Sequence, residues 1–95
     1  MKVRWTAPAL RDLEAIGDYI ARDNPAAADR IVTRILDQAE LLAAHPHAGR
    51  AGRVPETREM VVSDTPFILP YSVKGDVVEV LAVFHGSHRW PESFD

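Results

Sequence analysis

Val77-Val78-Glu79-Val80-Leu81-Ala82-Val83-Phe84 is the most apolar run of the chain, and it passes directly into His85-Gly86-Ser87-His88-Arg89-Trp90-Pro91. A near-continuous Val/Leu run is the pattern of a strand buried on both faces, so the polar residues just past its end are held by a rigid element. Lys74-Gly75-Asp76 separates this run from an earlier one, Phe67 to Val73, and Gly-Asp at the break predicts a tight hairpin between the two. Pro70 falls inside the earlier run and has no N–H for a ladder, which predicts a bulge or a locally unpaired edge there. A third run, Glu59 to Ser63, ends at Asp64-Thr65-Pro66.

The N-terminal half has a different period. Leu10, Leu13, Ile16 and Ile20 recur at helical spacing with Arg11, Asp12, Glu14 and Asp18 between them, a helix over roughly 7–22. Thr6 is its cap, Pro8 suits its first turn, and the alternating stretch Lys2 to Thr6 before it reads as an opening strand. Asn24-Pro25 stops one helix and starts the next, whose stripe of Ala28, Ile31, Ile35, Ala39 and Leu42 runs over roughly 26–44 until His45-Pro46. So short a connection makes an antiparallel helical hairpin. The expected fold is therefore α+β, ordered β-α-α-β-β-β, with the hairpin packed on one face of a mainly antiparallel sheet. Within the third run, Arg58, Met60 and Val62 share one side and Glu59 and Val61 the other. Sequence alone leaves open which side meets the helices; the greater apolar bulk of Met60 and Val62 favours theirs, in which case Arg58, at the strand's beginning, could reach round the sheet end.

Composition bounds the function. At 95 residues, 46% hydrophobic and 26% charged, the chain is expected to be a single globular domain, residues 1–95. Absence of Cys rules out disulfides and thiolate metal sites, and with neither a signal-like leader nor a membrane-length apolar run the expectation is a cytoplasmic protein with no membrane contact. A net charge of -3 is wrong for bulk binding to nucleic acid. The exception is local: between His47 and Arg58 three arginines face one acid, Glu56.

Candidate chemistry gathers in two places. His85, His88 and Arg89 are suited to acid–base work or to holding a phosphate, and the alternative is that they are solvated residues at a sheet end. His85 and His88 have no third ligand nearby, so no metal is expected, nor any other cofactor. Arg50 and Arg53 lie in a loop with Gly49 and Gly52, free to bind phosphate or carboxylate or simply to pair with helix acids. Trp5 and Trp90 read as packing residues, because no aromatic is interleaved with the arginines as a base-stacking surface requires. Ser87 has no acid close to His85 or His88 that would complete a nucleophilic triad.

Taken together, these segments resemble toxins of the RelE/ParE superfamily. The resemblance rests on Trp5-Thr6, Ala9, Asp12-Leu13, Ile16 and Tyr19-Ile20, then Asn24-Pro25 with Ala27-Ala28, then Leu42, Pro46 and Gly49-Arg50. It continues through Thr57-Arg58-Glu59, Pro66-Phe67-Ile68-Leu69-Pro70-Tyr71 and Val83-Phe84-His85-Gly86-Ser87, with Arg89-Trp90-Pro91. It implies a growth-inhibiting toxin of a type II toxin–antitoxin module, of the kind associated with plasmid stabilization. A cognate antitoxin would neutralise it in a hetero-oligomer by laying an extended segment across the hairpin, over Leu13, Ile16, Tyr19, Ile20, Ile35 and Leu42. DNA would be reached only indirectly, through the antitoxin.

The resemblance offers two targets. RelE-like members cleave messenger RNA on the ribosome with a cluster of Lys, Arg and His or Tyr, whereas ParE-like members poison DNA gyrase and lack that cluster. Here Ala82 stands where many relatives have a basic residue, no Tyr follows Arg89, and Lys74 is the only lysine after Lys2. The ParE-like reading, gyrase poisoning, is therefore preferred, with Arg50, Arg53, Arg58, His85, His88 and Arg89 as target-binding candidates. In the ribonuclease alternative Arg58, His85 and Arg89 would be the catalytic candidates. A third alternative is a non-toxic module that only titrates an antitoxin.

Overall fold

The computed structural model describes residues 1–87 and 90–94. Its elements are β1 (Lys2–Trp5), α1 (Ala7–Ala21), α2 (Pro25–Ala44), β2 (Arg50–Ala51), β3 (Arg58–Val61), β4 (Phe67–Lys74), β5 (Val77–Val80) and β6 (Phe84–His85). The α+β architecture is the one expected, with two very short strands, β2 and β6, added to it. One sheet runs β1-β5-β4-β3-β2, with β6 also on β4, and every pair is antiparallel except β1 with β5.

Local chemistry explains the joints. The Thr6 hydroxyl accepts the Ala9 N–H at 3.3 Å as the α1 cap and donates to the Val80 carbonyl at 3.0 Å, so one side chain fastens the helix start to the end of β5. Asn24 accepts from Ala27 N–H at 3.0 Å, and Pro25 opens α2 where a missing N–H is harmless. Gly75, at φ +60, makes the two-residue turn between Lys74 and Val77, a conformation glycine adopts without strain.

The run Val77 to Phe84 is not one strand. Val80 pairs with Tyr71, but Phe84 pairs with Ile68, so three residues on one side oppose two on the other. The extra residue lies opposite Leu69 and Pro70, and Leu81 N–H donates to the Pro70 carbonyl at 2.9 Å. The expected irregularity at Pro70 thus appears as a bulge in the facing strand. Asp12 on α1 holds it by accepting the Val83 N–H at 3.0 Å.

The core lies between hairpin and sheet. Ala9, Leu13, Ile35, Ala39, Val62, Leu69, Val80 and Val83 form its main cluster, and Leu42, Tyr71 and Val78 a second one beside it. Met60 packs against both clusters and Val62 is fully buried, so this side of β3 meets the helices as its bulk predicts.

The opposite face of the sheet is covered too: Ile68, Pro70 and Ser72, which alternate onto it, are buried. The loop from Arg50 to Thr57 and, near the C-terminus, Ser93 and Phe94 lie over it, and Val54, Thr57, Ser72, Leu81 and Phe94 line one small cavity between the layers. A 95-residue chain has little core to spare, and covering the second face adds Val54 to it.

Candidate functional site

Among the described residues, the basic candidates occupy three separate places. Arg50 sits opposite Glu59 in the β2–β3 pair, and its Nη2 donates to Glu59 Oε1 at 3.1 Å. Arg53 donates its backbone N–H to Glu59 Oε2 at 2.7 Å and holds its Nε 3.5 Å from the same oxygen. Its guanidinium also lies over the Trp90 ring, 4.0 Å from the centroid. The structure therefore brings Arg50, Arg53 and Trp90 together around one buried carboxylate. Sequence order hides this, since Trp90 stands 37 positions after Arg53, and Glu59 reads only as a strand residue.

Arg58 turns the other way. Its Nη1 donates to the Gly49 carbonyl at 2.8 Å and the His47 carbonyl at 3.4 Å, so it does reach round the sheet end, where it braces the loop after α2. His85 is elsewhere again. It pairs with Phe67 and meets that ring edge-on at 5.8 Å, beside Ile16, Tyr19 and Ile20 of α1. Phe67 and Tyr71, the β4 partners of His85 and Arg58, are four residues apart, and the two lie on opposite edges of β4. At about 3.3 Å per residue and about 4.8 Å per strand, their backbones are about 16 Å apart. His88 and Arg89 fall outside the described residues.

Chemically, His85 is an exposed imidazole whose Nδ1 faces the Ser87 hydroxyl at 2.7 Å and the Ser87 N–H at 3.1 Å. Both donors meet at one nitrogen, which places the proton of the neutral ring on Nε2. Among the described residues no carboxylate orients this pair, and the two-residue spacing makes it a local turn contact rather than a nucleophile elbow.

The hairpin presents a different surface. Leu13, Ile35 and Leu42, expected to meet a partner, are interior: Ile35 and Leu42 have no exposed surface and Leu13 8%. Helical periodicity marks an apolar stripe without saying how much of it the sheet will cover. Ile16 and Ile20 are half-buried, and Tyr19 is 70% exposed with Arg22 packed 5.9 Å from its ring. Between the helices runs a groove of about 880 Å³, floored by Leu10, Leu13, Gly17, Ala28 and Val32 and rimmed by Glu14, Asp18 and Asp29. Its lining includes three carboxylates and no Lys or Arg, a surface matched to a segment carrying both aliphatic and cationic side chains.

Comparison with known proteins places these features. The family described as "ParE toxin of type II toxin-antitoxin system, parDE" matches residues 3–90. "Putative toxin Y4kP" of Sinorhizobium fredii is 47% identical over 96% of this chain and 94% of its own length. "Toxin RelE2" of Caulobacter vibrioides is 37% identical over 90% of this chain and 96% of its own. In solved structures, a chain of "Chromosomal ParDE TA system from P. aeruginosa" superimposes with a TM-score of 0.80 at 34% identity, covering 90% of this chain and 95% of that one. With the family pattern spanning nearly every element from β1 to Trp90, and with relatives matched along almost their whole lengths, the chain belongs to the ParE toxin family of type II toxin–antitoxin systems.

Proposed function

We propose that this toxin acts by poisoning DNA gyrase and that an antitoxin neutralises it from the hairpin side. The carrying observation is the dispersal of the basic groups among the described residues: the backbones of Arg58 and His85 stand about 16 Å apart at opposite edges of β4, and Arg50 and Arg53 lie around Glu59 on the second sheet face. Cleaving a phosphodiester requires a base at the 2′-hydroxyl and a cation at the phosphorane within one nucleotide's reach. Dispersed charges serve a protein–protein surface instead. Ala82, which stands where many relatives have a basic residue, is 3% exposed at the bulge and offers no cation to an RNA-cleaving site.

The target surface in this reading comprises Arg50 and Arg53, with His85 on β6 and, as sequence candidates, His88 and Arg89, while Arg58 shapes the loop after α2. The antitoxin segment lies along the acidic groove and over Tyr19, Ile16 and Ile20. Folding on binding suits such an inhibitor, because an extended segment covers a large surface from a short chain.

The deciding experiment adds purified toxin to a gyrase supercoiling and cleavage assay and, in parallel, to ribosomes translating a defined message. Trapped gyrase–DNA cleavage complexes with intact message are expected. Cleaved message with unaffected supercoiling would establish the ribonuclease reading in its place, and absence of both effects together with normal growth on expression would leave a module that only binds antitoxin.

A further inference from the structure

Glu59 is the one acidic side chain among the described residues that is essentially closed to solvent, 1% exposed at the centre of β3. Burying a carboxylate is costly unless every lone pair is met by a donor. Here the donors come from two arginines: the Arg53 N–H at 2.7 Å, Arg50 Nη2 at 3.1 Å and Arg50 Nε at 3.4 Å, while Arg53 Nε makes an ion-pair contact at 3.5 Å. The arginine side chains themselves remain 57% and 46% exposed. A guanidinium has five N–H groups in a fixed fork, so bonding one edge to a rigid carboxylate sets the direction of the rest.

The arrangement extends beyond the arginines. Arg53 covers the Trp90 ring, Trp90 meets Phe84 edge-on at 5.0 Å, and Phe84 stacks on Phe94 at 5.9 Å. One strand carboxylate therefore links the Gly-Arg loop to the C-terminal aromatic residues. A salt bridge whose only effect was stability would be a poor choice, since an apolar residue of the same size does as well. What an apolar residue does not do is hold two cations at a set angle toward solvent.

We propose that Glu59 is a positioning residue of the toxic surface, a buried carboxylate that aims Arg50 and Arg53 at the target and, through Arg53, seats Trp90. It rests on the reading that those two arginines contact the target. Supported by a rigid strand, the pair is pre-organised, and association loses less side-chain freedom than two mobile arginines would.

The test uses the full-length toxin carrying Trp5→Phe, which leaves Trp90 as the only tryptophan. Glu59→Gln keeps the shape and removes the charge. Expected are an unchanged far-ultraviolet spectrum and antitoxin affinity, greater acrylamide quenching of Trp90, and about tenfold or greater loss of potency in gyrase inhibition and growth arrest, the scale of a lost charge-assisted bond. Arg50→Ala with Arg53→Ala is run beside it. Wild-type potency of Glu59→Gln beside an inactive double-arginine variant overturns the positioning role and leaves the target surface standing. Wild-type potency of both overturns the two together. Parallel loss of antitoxin affinity and potency also overturns it, because a residue that only supports the fold weakens both. Should Glu59→Gln not fold, Arg53→Lys takes its place, keeping the charge while losing the planar fork. Wild-type quenching and potency of Arg53→Lys then overturn the proposal.

Discussion

The Tyr71 hydroxyl accepts the Gly49 N–H at 2.9 Å and donates to the Pro46 carbonyl at 2.9 Å, so the most deeply buried ring of the sheet holds the loop that leaves α2. Gly49 passes so close to that ring that a Cβ there would stand 2.7 Å from both the Tyr71 ring and the Glu59 carbonyl. The loop carrying Arg50 and Arg53 starts from this contact. Its placement over the second sheet face is therefore set by a tyrosine on the first.

Tyr71→Phe is expected to fold but to melt lower. It leaves the Gly49 N–H and the Pro46 carbonyl without their partner, at about 1–3 kcal/mol for such a loss. For a domain of this size each kcal/mol corresponds to about 4–8 °C in Tm. Gly49→Ala is expected to cost at least as much, since neither backbone nor ring yields easily to a methyl group. Calorimetry on both variants checks this, and an unchanged Tm for Tyr71→Phe would show that water replaces the hydroxyl without loss.

Asp12 is the second fastening, joining α1 to the bulge through Val83 N–H. Asp12→Ala leaves a buried amide unpaired and is expected to destabilise by about 1–3 kcal/mol. Because the bond crosses from helix to sheet, hydrogen exchange at Val83 is expected to accelerate more than at Val78, which is paired within the β4–β5 ladder. Equal acceleration at the two sites would mean that Asp12 contributes only to global stability.

The fold was legible because its elements are locally consistent. Thr6, Asn24-Pro25 and Gly75-Asp76 each have a backbone preference that matches the element they bound, and the apolar periods switch where the structure switches. The candidate site was less legible for two reasons. Strand pairing decides which side chains meet, so His85 and Arg58, grouped as catalytic candidates in the ribonuclease alternative, sit on opposite edges of β4. Glu59 was invisible because a lone acid in a strand carries no signal until arginines nine and six residues earlier fold back over it. The interior position of Ile35 and Leu42 was missed for a related reason: a helix stripe looks the same whether the sheet or a partner covers it.

That ambiguity yields a pair of contrasting variants. Ile35→Ala removes a fully enclosed side chain and is expected to cost about 2–5 kcal/mol of stability. Tyr19→Ala, at a side chain 70% exposed, is expected to leave stability within about 0.5 kcal/mol of wild type. In antitoxin binding the order is reversed: Tyr19→Ala is expected to weaken association by about tenfold or more, as aromatic anchors do. Titration calorimetry with the proposed antitoxin measures this, and unchanged affinity of Tyr19→Ala would move the docking surface away from the end of α1.

Charge around the hairpin groove gives the last prediction. Glu14, Asp18 and Asp29 rim an apolar floor with no Lys or Arg among the lining residues. In the proposed mode, an antitoxin segment seated there would present cations to the rim and aliphatic side chains to Leu10 and Val32, so attraction across the rim would act mainly on the rate of association. Rim charges are screened within about 8 Å at physiological salt. Raising the salt from low to physiological strength is therefore expected to slow association several-fold while dissociation changes little. Glu14→Gln combined with Asp18→Asn and Asp29→Asn is expected to reproduce the slow rate at low salt and to abolish most of the remaining salt dependence. The apolar floor is untouched in that triple variant, so dissociation stays near wild type. Leu10→Ser has the opposite signature, faster dissociation with normal association, because it removes contact area after docking rather than attraction before it. Stopped-flow or surface-based kinetics with the two variants separate these effects, and a triple variant with wild-type association at low salt would place the antitoxin outside this groove.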